Sequence, residues 1–144
     1  MTLAVAVDLD AVLGDTGPLW RAWLEDIRRR AHVAVDATSD ERSLDEQVGN
    51  WRPLLERFAE DHAPVYLRPN AAANAELRRL QAAGALLGAF TSAPEPLASV
   101  AAAHLGVTRR LEALEGGGGA LERLLDRLGA ATVVVHTLDE LRAL

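Results

Sequence analysis

Two aspartates spaced two residues apart are the part of this sequence best suited to chemistry. Asp8 and Asp10 close an apolar run that begins at Leu3, and such a run predicts a buried strand whose carboxyl end opens to solvent. Side chains at positions i and i+2 of a strand point to the same side, so the two carboxylates repel each other unless they share a proton or a divalent cation. Because Mg²⁺ prefers oxygen ligands, the pair predicts a magnesium site with Asp8 and Asp10 as ligands.

The apolar pattern of the rest of the chain predicts the elements that would hold this pair at the edge of a sheet. Apolar runs indicate strands, and apolar residues at helical spacing indicate amphipathic helices. We expect strands at residues 3–8, 85–90, 109–114 and 132–136, and helices at residues 20–27, 51–58, 70–81, 95–105 and 120–128. The polar segment between the first two helices is predicted as a loop with one short helix starting near Ser43, and Pro64 and Pro69 are predicted to bracket a tight passage. Strands that alternate with helices imply a parallel sheet, which binds ligands at the carboxyl ends of its strands.

The length of 144 residues predicts one domain spanning residues 1–144. The predicted fold is an α/β, Rossmann-like three-layer domain with a short parallel sheet of about four strands. Residues 15–68, which separate the first two strands, are predicted to form a small helical cap inserted after the first strand. The tryptophans of this segment are expected to lie in the core first and to contact a substrate second.

Composition restricts the partners and the chemistry. The net charge of −6 disfavours nucleic acid and anionic membrane surfaces as partners. The chain has no cysteine, which excludes thiolate nucleophiles and cysteine-ligated zinc. All fifteen basic residues are arginine, so no lysine can act in catalysis. The N-terminal segment lacks a basic region ahead of its short apolar run, and we therefore expect neither a signal peptide nor a membrane span, and a cytoplasmic location.

Two segments resemble motifs of the haloacid dehalogenase (HAD) hydrolase superfamily. VAVDLDAVLGDT is similar to its first motif, an apolar strand that ends in Asp-x-Asp, and GAFTSAP is similar to its second, an apolar strand that ends in Thr or Ser. The resemblance implies that Asp8 is the nucleophile and Asp10 the general acid and base, while Thr91 hydrogen-bonds the phosphate beside the backbone amide of Ser92. A carboxylate nucleophile with a neighbouring acid is chemically sufficient to split a phosphate ester in two steps. The alternative role for Thr91 is that of a turn or helix cap.

The third motif of the superfamily is altered in this chain. It is normally a lysine, occasionally an arginine, that neutralises the phosphate and the nucleophile. The nearest cation here is Arg123, after the glycine tract at residues 116–119, and Arg109 and Arg110 are other candidates. The tract itself is predicted as a connector in preference to an anion-binding loop, because it lacks the lysine and hydroxyl of a phosphate-binding P-loop.

The fourth motif, which normally supplies magnesium-binding aspartates just after the fourth strand, is also altered. His136 and Thr137 occupy those positions, and Asp139 follows slightly later. Asp139 is the third predicted metal ligand, but Thr137 and Glu140 also match the capping box of a helix, which needs no metal. We expect His136 to be a structural residue at the strand end.

The sequence supports two functional hypotheses. The first is a weak, Mg²⁺-dependent phosphatase that acts on a small phosphorylated metabolite through an aspartyl-phosphate. A dehalogenase is disfavoured, because an ester leaving group needs a proton donor such as Asp10 and a halide does not. The second hypothesis is a catalytically impaired relative that keeps the fold and acts as a binding or interaction module.

Overall fold

A four-stranded parallel sheet with the strand order β3-β2-β1-β4 organises the chain, and the computed structural model describes residues 2–144. The strands are β1 (Ala4–Asp8), β2 (Leu86–Thr91), β3 (Ala113–Gly116) and β4 (Val133–Val135). The helices are α1 (Gly17–Ala31), α2 (Glu41–Gln47), α3 (Trp51–Tyr66), α4 (Ala71–Ala82), α5 (Glu95–His104), α6 (Ala120–Leu128) and α7 (Leu138–Arg142). A short π-helical turn, Leu9–Leu13, follows β1, and a 3₁₀ turn, Thr108–Arg110, precedes β3. The predicted α/β fold class with a parallel sheet of four strands is confirmed.

The two central strands carry the acidic pair and the threonine singled out in the sequence. Asp8 is paired with Phe90 at the carboxyl ends of β1 and β2, and Thr91 follows directly. On the far side of β1, Val7 is paired with Val135, so that the chain leaves β4 beside the same edge. The polar residues that follow these three strands therefore converge at one edge of the sheet, as expected for parallel strands.

Helices cover both faces of the sheet, in the three layers that were predicted. Val5 and Val7 of β1 face the larger hydrophobic core, which also contains side chains of α1, α3, α4 and α5. Ala6, which lies between them, faces the other side and packs with Leu124 of α6. This alternation is the two-residue period of a strand that is buried on both faces.

Gly88 in β2 sets how closely α6 approaches the sheet. A Cβ atom at this position would lie 2.7 Å from a methyl carbon of Leu124 and 2.9 Å from one of Leu128. These distances are shorter than van der Waals contact, so any larger residue would push the helix outward. The first turn of α6 borders the cavity described below, and its position thus depends on this glycine.

The segment between β1 and β2 contains α1, α2 and α3, within the residues that were predicted to form a cap. Trp23, Leu44 and Trp51 of these helices are fully buried and belong to the same hydrophobic core as Val7. Trp23 and Trp51 are core residues, as predicted, whereas Trp20 is only partly buried. The assignment of residues 15–68 as a separate cap stays a prediction.

Two predicted element boundaries were wrong. The third strand was expected at residues 109–114, but residues 108–110 form the 3₁₀ turn and β3 runs through Gly116, which pairs with Thr91. Tertiary pairing with β2 extends the strand into the glycine tract, against the low strand preference of glycine. Pro64 does not lead into a separate passage, because α3 continues through it to Tyr66. A proline this close to the helix end removes one backbone donor while the buried Ala59 and Ala63 keep the helix packed.

The helix starts that were predicted from local capping residues agree with the structure better than these two boundaries do. The Asn70 side chain accepts a hydrogen bond from the Ala73 amide and starts α4, as predicted. Thr137 accepts from the Glu140 amide at 3.0 Å and starts α7, as predicted, but the Glu140 carboxylate accepts from the Thr137 hydroxyl at 3.2 Å, so only the threonine half of the capping box is formed.

Candidate functional site

Asp8 connects the end of β1 with the end of β4. One of its carboxylate oxygens, Oδ1, accepts a long hydrogen bond of 3.3 Å from the Ala11 amide in the π-helical turn. The other, Oδ2, lies 3.1 Å from Nδ1 of His136. The carboxylate is a quarter exposed, with a side-chain exposure of 25%, and Oδ1 retains lone pairs for a further partner.

Asp10 is held by two buried threonines. Its Oδ1 accepts from the Thr16 amide at 2.8 Å and from the Thr16 hydroxyl at 2.6 Å, and its Oδ2 accepts from the Thr91 hydroxyl at 2.5 Å. Thr16 and Thr91 are 3% and 2% exposed, and they are the only fully buried polar residues in the described part of the chain. The Thr91 hydroxyl also accepts from the Ala93 amide at 3.1 Å. Buried hydroxyls that donate to a carboxylate fix its orientation.

The predicted catalytic and substrate-binding residues line one cavity of about 420 Å³. Asp8, Asp10, Thr91 and Ser92 form one side of it. The opposite side consists of three residues of the glycine tract and the first turn of α6, namely Gly117, Gly118, Gly119, Ala120, Leu121 and Glu122. We call this space the phosphate cavity, after the role proposed for it below. Its volume is in the range of small-molecule binding sites.

A second cavity of about 520 Å³, here called the cap cavity, shares Asp10, Ser92, Gly117 and Gly118 with the first. Its outer wall comes from the segment before β2, and Trp20 lines it together with residues 37–41 and Leu44. The ionisable side chains that line the two cavities are all acidic. They are Asp8, Asp10, Asp15, Asp40, Glu41 and Glu122.

None of the three candidate cations lines either cavity. Arg123 is turned toward the outside of the glycine tract, where it donates to the backbone oxygens of Gly116 and Gly118 and to Glu115. Arg109 and Arg110 precede β3 at the amino edge of the sheet, and Arg110 donates to the side chain of Gln81 at 2.7 Å. Among residues 2–144, no arginine therefore lines the cavity that contains Asp8 and Asp10.

Asp139 does not join Asp8 and Asp10. Its side chain is 92% exposed and pairs with Arg142 on the same helix at 3.4 Å. Among residues 2–144 no group of three or more histidine, aspartate or glutamate side chains is arranged to hold a metal ion. The pair of Asp8 and Asp10 alone still fits Mg²⁺ chemically, because this ion commonly keeps several waters and takes only one or two carboxylates beside a substrate phosphate.

His136 contacts Asp8, which the sequence did not predict. The histidine follows β4 and was read as a structural residue, but its ring meets Asp8 through Nδ1 and packs edge-on against Phe90 at a centroid distance of 5.9 Å. The pairing of β4 with β1 creates this contact, since it places the two strand ends side by side. The strand order that would have indicated it cannot be read from local patterns.

The segment that provides the outer wall of the cap cavity contains three carboxylates with lowered pKa values, of which Asp40 lines the cavity itself. The Ser43 backbone amide, followed by the Ser43 hydroxyl, lowers the pKa of Asp40, which starts α2. Hydrogen bonds from Trp51 and Arg52 lower the pKa of Asp45, and the side chain and amide of Thr38 lower that of Asp36. Each hydrogen bond favours the charged form, so this wall stays negatively charged at neutral pH.

Comparisons with known proteins agree with the fold. No protein-family model and no curated protein matches this sequence. A solved structure from Thermotoga maritima, provisionally assigned as a beta-phosphoglucomutase, is 18% identical with a TM-score of 0.59, and the match covers 98% of this chain and 82% of that one. A provisionally assigned haloacid dehalogenase-like hydrolase from Bacteroides fragilis is 15% identical with a TM-score of 0.54, with 93% and 77% covered. The chain therefore has the fold of HAD-like hydrolases, which confirms the resemblance at the level of the fold.

No helix among residues 2–144 combines the length and the apolar character needed to cross a membrane.

Proposed function

We propose that this protein is a weak, Mg²⁺-dependent phosphatase that hydrolyses a small phosphorylated metabolite in the phosphate cavity. The observation that carries the proposal is the convergence of Asp8, Asp10 and Thr91 in one cavity, with Asp10 held by Thr16 and Thr91. The likeness of the fold to HAD-like hydrolases supports the reaction class. The cytoplasmic location inferred from the N-terminal segment stays a prediction.

In the proposed first step, Asp8 attacks the phosphorus atom through a carboxylate oxygen. The bond between phosphorus and the ester oxygen breaks, Asp10 gives its proton to the departing alkoxide, and an aspartyl-phosphate remains on Asp8. In the second step Asp10 accepts a proton from a water molecule that attacks phosphorus, which frees inorganic phosphate and restores Asp8. The threonines that hold Asp10 position it for both proton transfers.

Asp8 and Asp10 are the proposed ligands of Mg²⁺, whereas Asp139, the third ligand expected from the sequence, is exposed and pairs with Arg142. When bound, the ion would neutralise charge on the phosphate and relieve the repulsion between substrate and carboxylates. Because the structure does not bring Asp139 to the pair, we propose that the site works with two protein ligands and is correspondingly weak. No described residue supplies a cation to the cavity, and this also predicts weak activity, since loss of one charged group from such a site commonly costs about a hundredfold or more in rate.

The cap cavity is the proposed site for the rest of the substrate. Its volume suits a small metabolite, and its ionisable lining is acidic, with Asp40 held in the charged form. A second anionic group on the substrate would be repelled by this lining, whereas a neutral or amine-bearing group would not. We therefore propose a phosphate ester of a neutral or amine-bearing alcohol.

A second candidate function is a binding module without turnover. The observation that favours it is the orientation of Arg123, whose donors are bound to the glycine tract and to Glu115 instead of facing Asp8. In this case the phosphate cavity would hold a ligand, and Asp8 and Asp10 would contribute to its binding only.

The test is release of inorganic phosphate from a panel of phosphomonoesters, with and without Mg²⁺, by wild type, Asp8→Asn and Asp139→Asn. We expect slow turnover, well below about 10 per second, that requires Mg²⁺, disappears in Asp8→Asn and persists in Asp139→Asn. Turnover that survives in Asp8→Asn would refute the proposed nucleophile. No release from any ester would refute the phosphatase and favour the binding module.

A further inference from the structure

We infer that Arg123 is a positioning residue, which fixes the glycine tract so that backbone amides take over the anion-binding role of the missing lysine. The inference rests on the proposed function, because it concerns how the phosphate cavity holds a phosphate group. It differs from the role of the cation in the family motif, since here the guanidinium does not contact the ligand.

The contacts of Arg123 show what it holds. Its Nη2 donates to the Gly116 oxygen at 2.7 Å, a second nitrogen donates to the Gly118 oxygen, and Nε donates to Glu115 at 3.3 Å. The planar fork of a guanidinium can satisfy several acceptors in a fixed arrangement. Arg123 thus binds the carbonyl side of the tract from outside the cavity.

The opposite side of the tract supplies donors. The Gly118 oxygen held by Arg123 belongs to the same peptide group as the Gly119 amide, which therefore points away from the arginine. The amides of Gly118 and Gly119, and those of Leu121 and Glu122 in the first turn of α6, have no acceptor among the described residues. All four residues line the phosphate cavity. Consecutive backbone amides and a helix N-terminus both attract anions.

The backbone of the tract is also predefined. Gly117 and Gly119 have φ angles of +94° and +73°, a conformation that other residues rarely adopt. The Gly117 amide donates to the Thr91 oxygen at 3.1 Å, which attaches the tract to the strand that carries Thr91. The tract that was predicted as a connector is therefore held at both of its sides.

The chain offers a matched control. Arg127 lies one turn further along α6 and pairs with the other oxygen of Glu115 at 3.2 Å, but it does not touch the glycine tract. Both arginines are about half exposed, with side-chain exposures of 46% and 55%. Loss of Arg127 removes a charge and an ion pair from the same helix and leaves the tract alone.

The experiment follows the backbone amide signals of wild type, Arg123→Met and Arg127→Met by NMR during a titration with inorganic phosphate at constant Mg²⁺. In wild type we expect phosphate to shift the amides of Gly118 and Gly119. Arg123→Met should weaken phosphate binding by about tenfold or more, as expected for loss of a charge-assisted hydrogen-bond network. Arg127→Met should bind phosphate as wild type does, and both variants should have similar melting temperatures.

Equal phosphate affinities of the two variants would overturn the inference. So would phosphate that leaves the glycine amides unchanged, or that shifts the guanidinium signals of Arg123 itself, because the arginine would then contact the anion directly. The outcome is separate from the turnover assay: phosphate binding through the amides without ester hydrolysis would refute the phosphatase and leave the role of Arg123 standing.

Discussion

Replacing Thr91 by valine tests whether the buried hydroxyl network holds Asp10. Valine has nearly the shape of threonine, so the substitution exchanges one hydroxyl for a methyl group and leaves packing almost unchanged. The hydroxyl makes two hydrogen bonds, donating to Asp10 at 2.5 Å and accepting from the Ala93 amide at 3.1 Å. Since Thr91 is only 2% exposed, water cannot readily replace it.

The expected cost follows from these two bonds. A hydrogen bond to a charged group contributes about 1.5–3 kcal/mol, and a buried amide left without an acceptor costs about 1–3 kcal/mol. Asp10 is only partly buried and can regain some hydration, so we take the lower part of the combined range, about 2.5–4 kcal/mol. For a domain of this size that free energy lowers the melting temperature by roughly 10 °C.

The assay is thermal unfolding of wild type, Thr91→Val and Thr91→Ser at neutral pH. Serine keeps the hydroxyl and loses a methyl group, so it controls for packing at this position. A valine variant that melts within about 2 °C of the serine variant would refute the reasoning, because the hydroxyl would then contribute almost nothing.

Three further predictions address the metal, the substrate and the response to acid. At constant ionic strength, Mg²⁺ should raise the melting temperatures of wild type and of Asp139→Asn, because an ion that binds only the folded state stabilises it, but should not raise that of Asp8→Asn. A wild-type melting temperature that does not change with Mg²⁺ would contradict the metal site. Phosphoethanolamine should be hydrolysed with a higher kcat/KM than phosphoglycolate, which is similar in size but carries a second negative charge, and the reverse order would contradict the proposed cap cavity. The pKa values of Asp36, Asp40 and Asp45 are lowered in the folded state, so these carboxylates stabilise the folded protein at pH values above their unfolded pKa near 4. This stabilisation is lost as the pH falls through the lowered pKa values. Amide protection factors, taken relative to the intrinsic exchange rate at each pH, should therefore fall first in residues 36–47 on acidification, and Asp40→Asn, which can cap α2 without titrating, should lose less protection there; a uniform loss of protection across the chain would contradict this.

The parts of the fold that the sequence predicted are those with local signals. The apolar run before Asp8, the Asn70 cap and the Thr137 cap each act within a few residues, and the structure contains all three. The convergence of Asp8 with Thr91 was predictable as well, since parallel strands align their carboxyl ends.

The parts that were missed depend on contacts between distant segments. The contact of His136 with Asp8 requires the strand order, and the inward contact of Thr16 with Asp10 requires the path of the chain after the π-helical turn. The direction of Arg123 depends on which carbonyls of the glycine tract point outward, and no residue pattern specifies that. The end of β3 was misplaced because pairing with β2 overrides the strand preference of Gly116.

The position of β1 also governs the order in which the molecule can fold. This strand is the first in the chain, yet Ala4 pairs with Leu86 on one side and Val5 pairs with Val133 on the other. Every partner of β1 is thus separated from it by a long stretch of chain, and such non-local pairing slows folding, because the intervening chain loses entropy before the contacts form. During synthesis the apolar β1 remains unpaired until β2, at residues 86–91, has been made, so this segment is exposed to aggregation before the sheet closes.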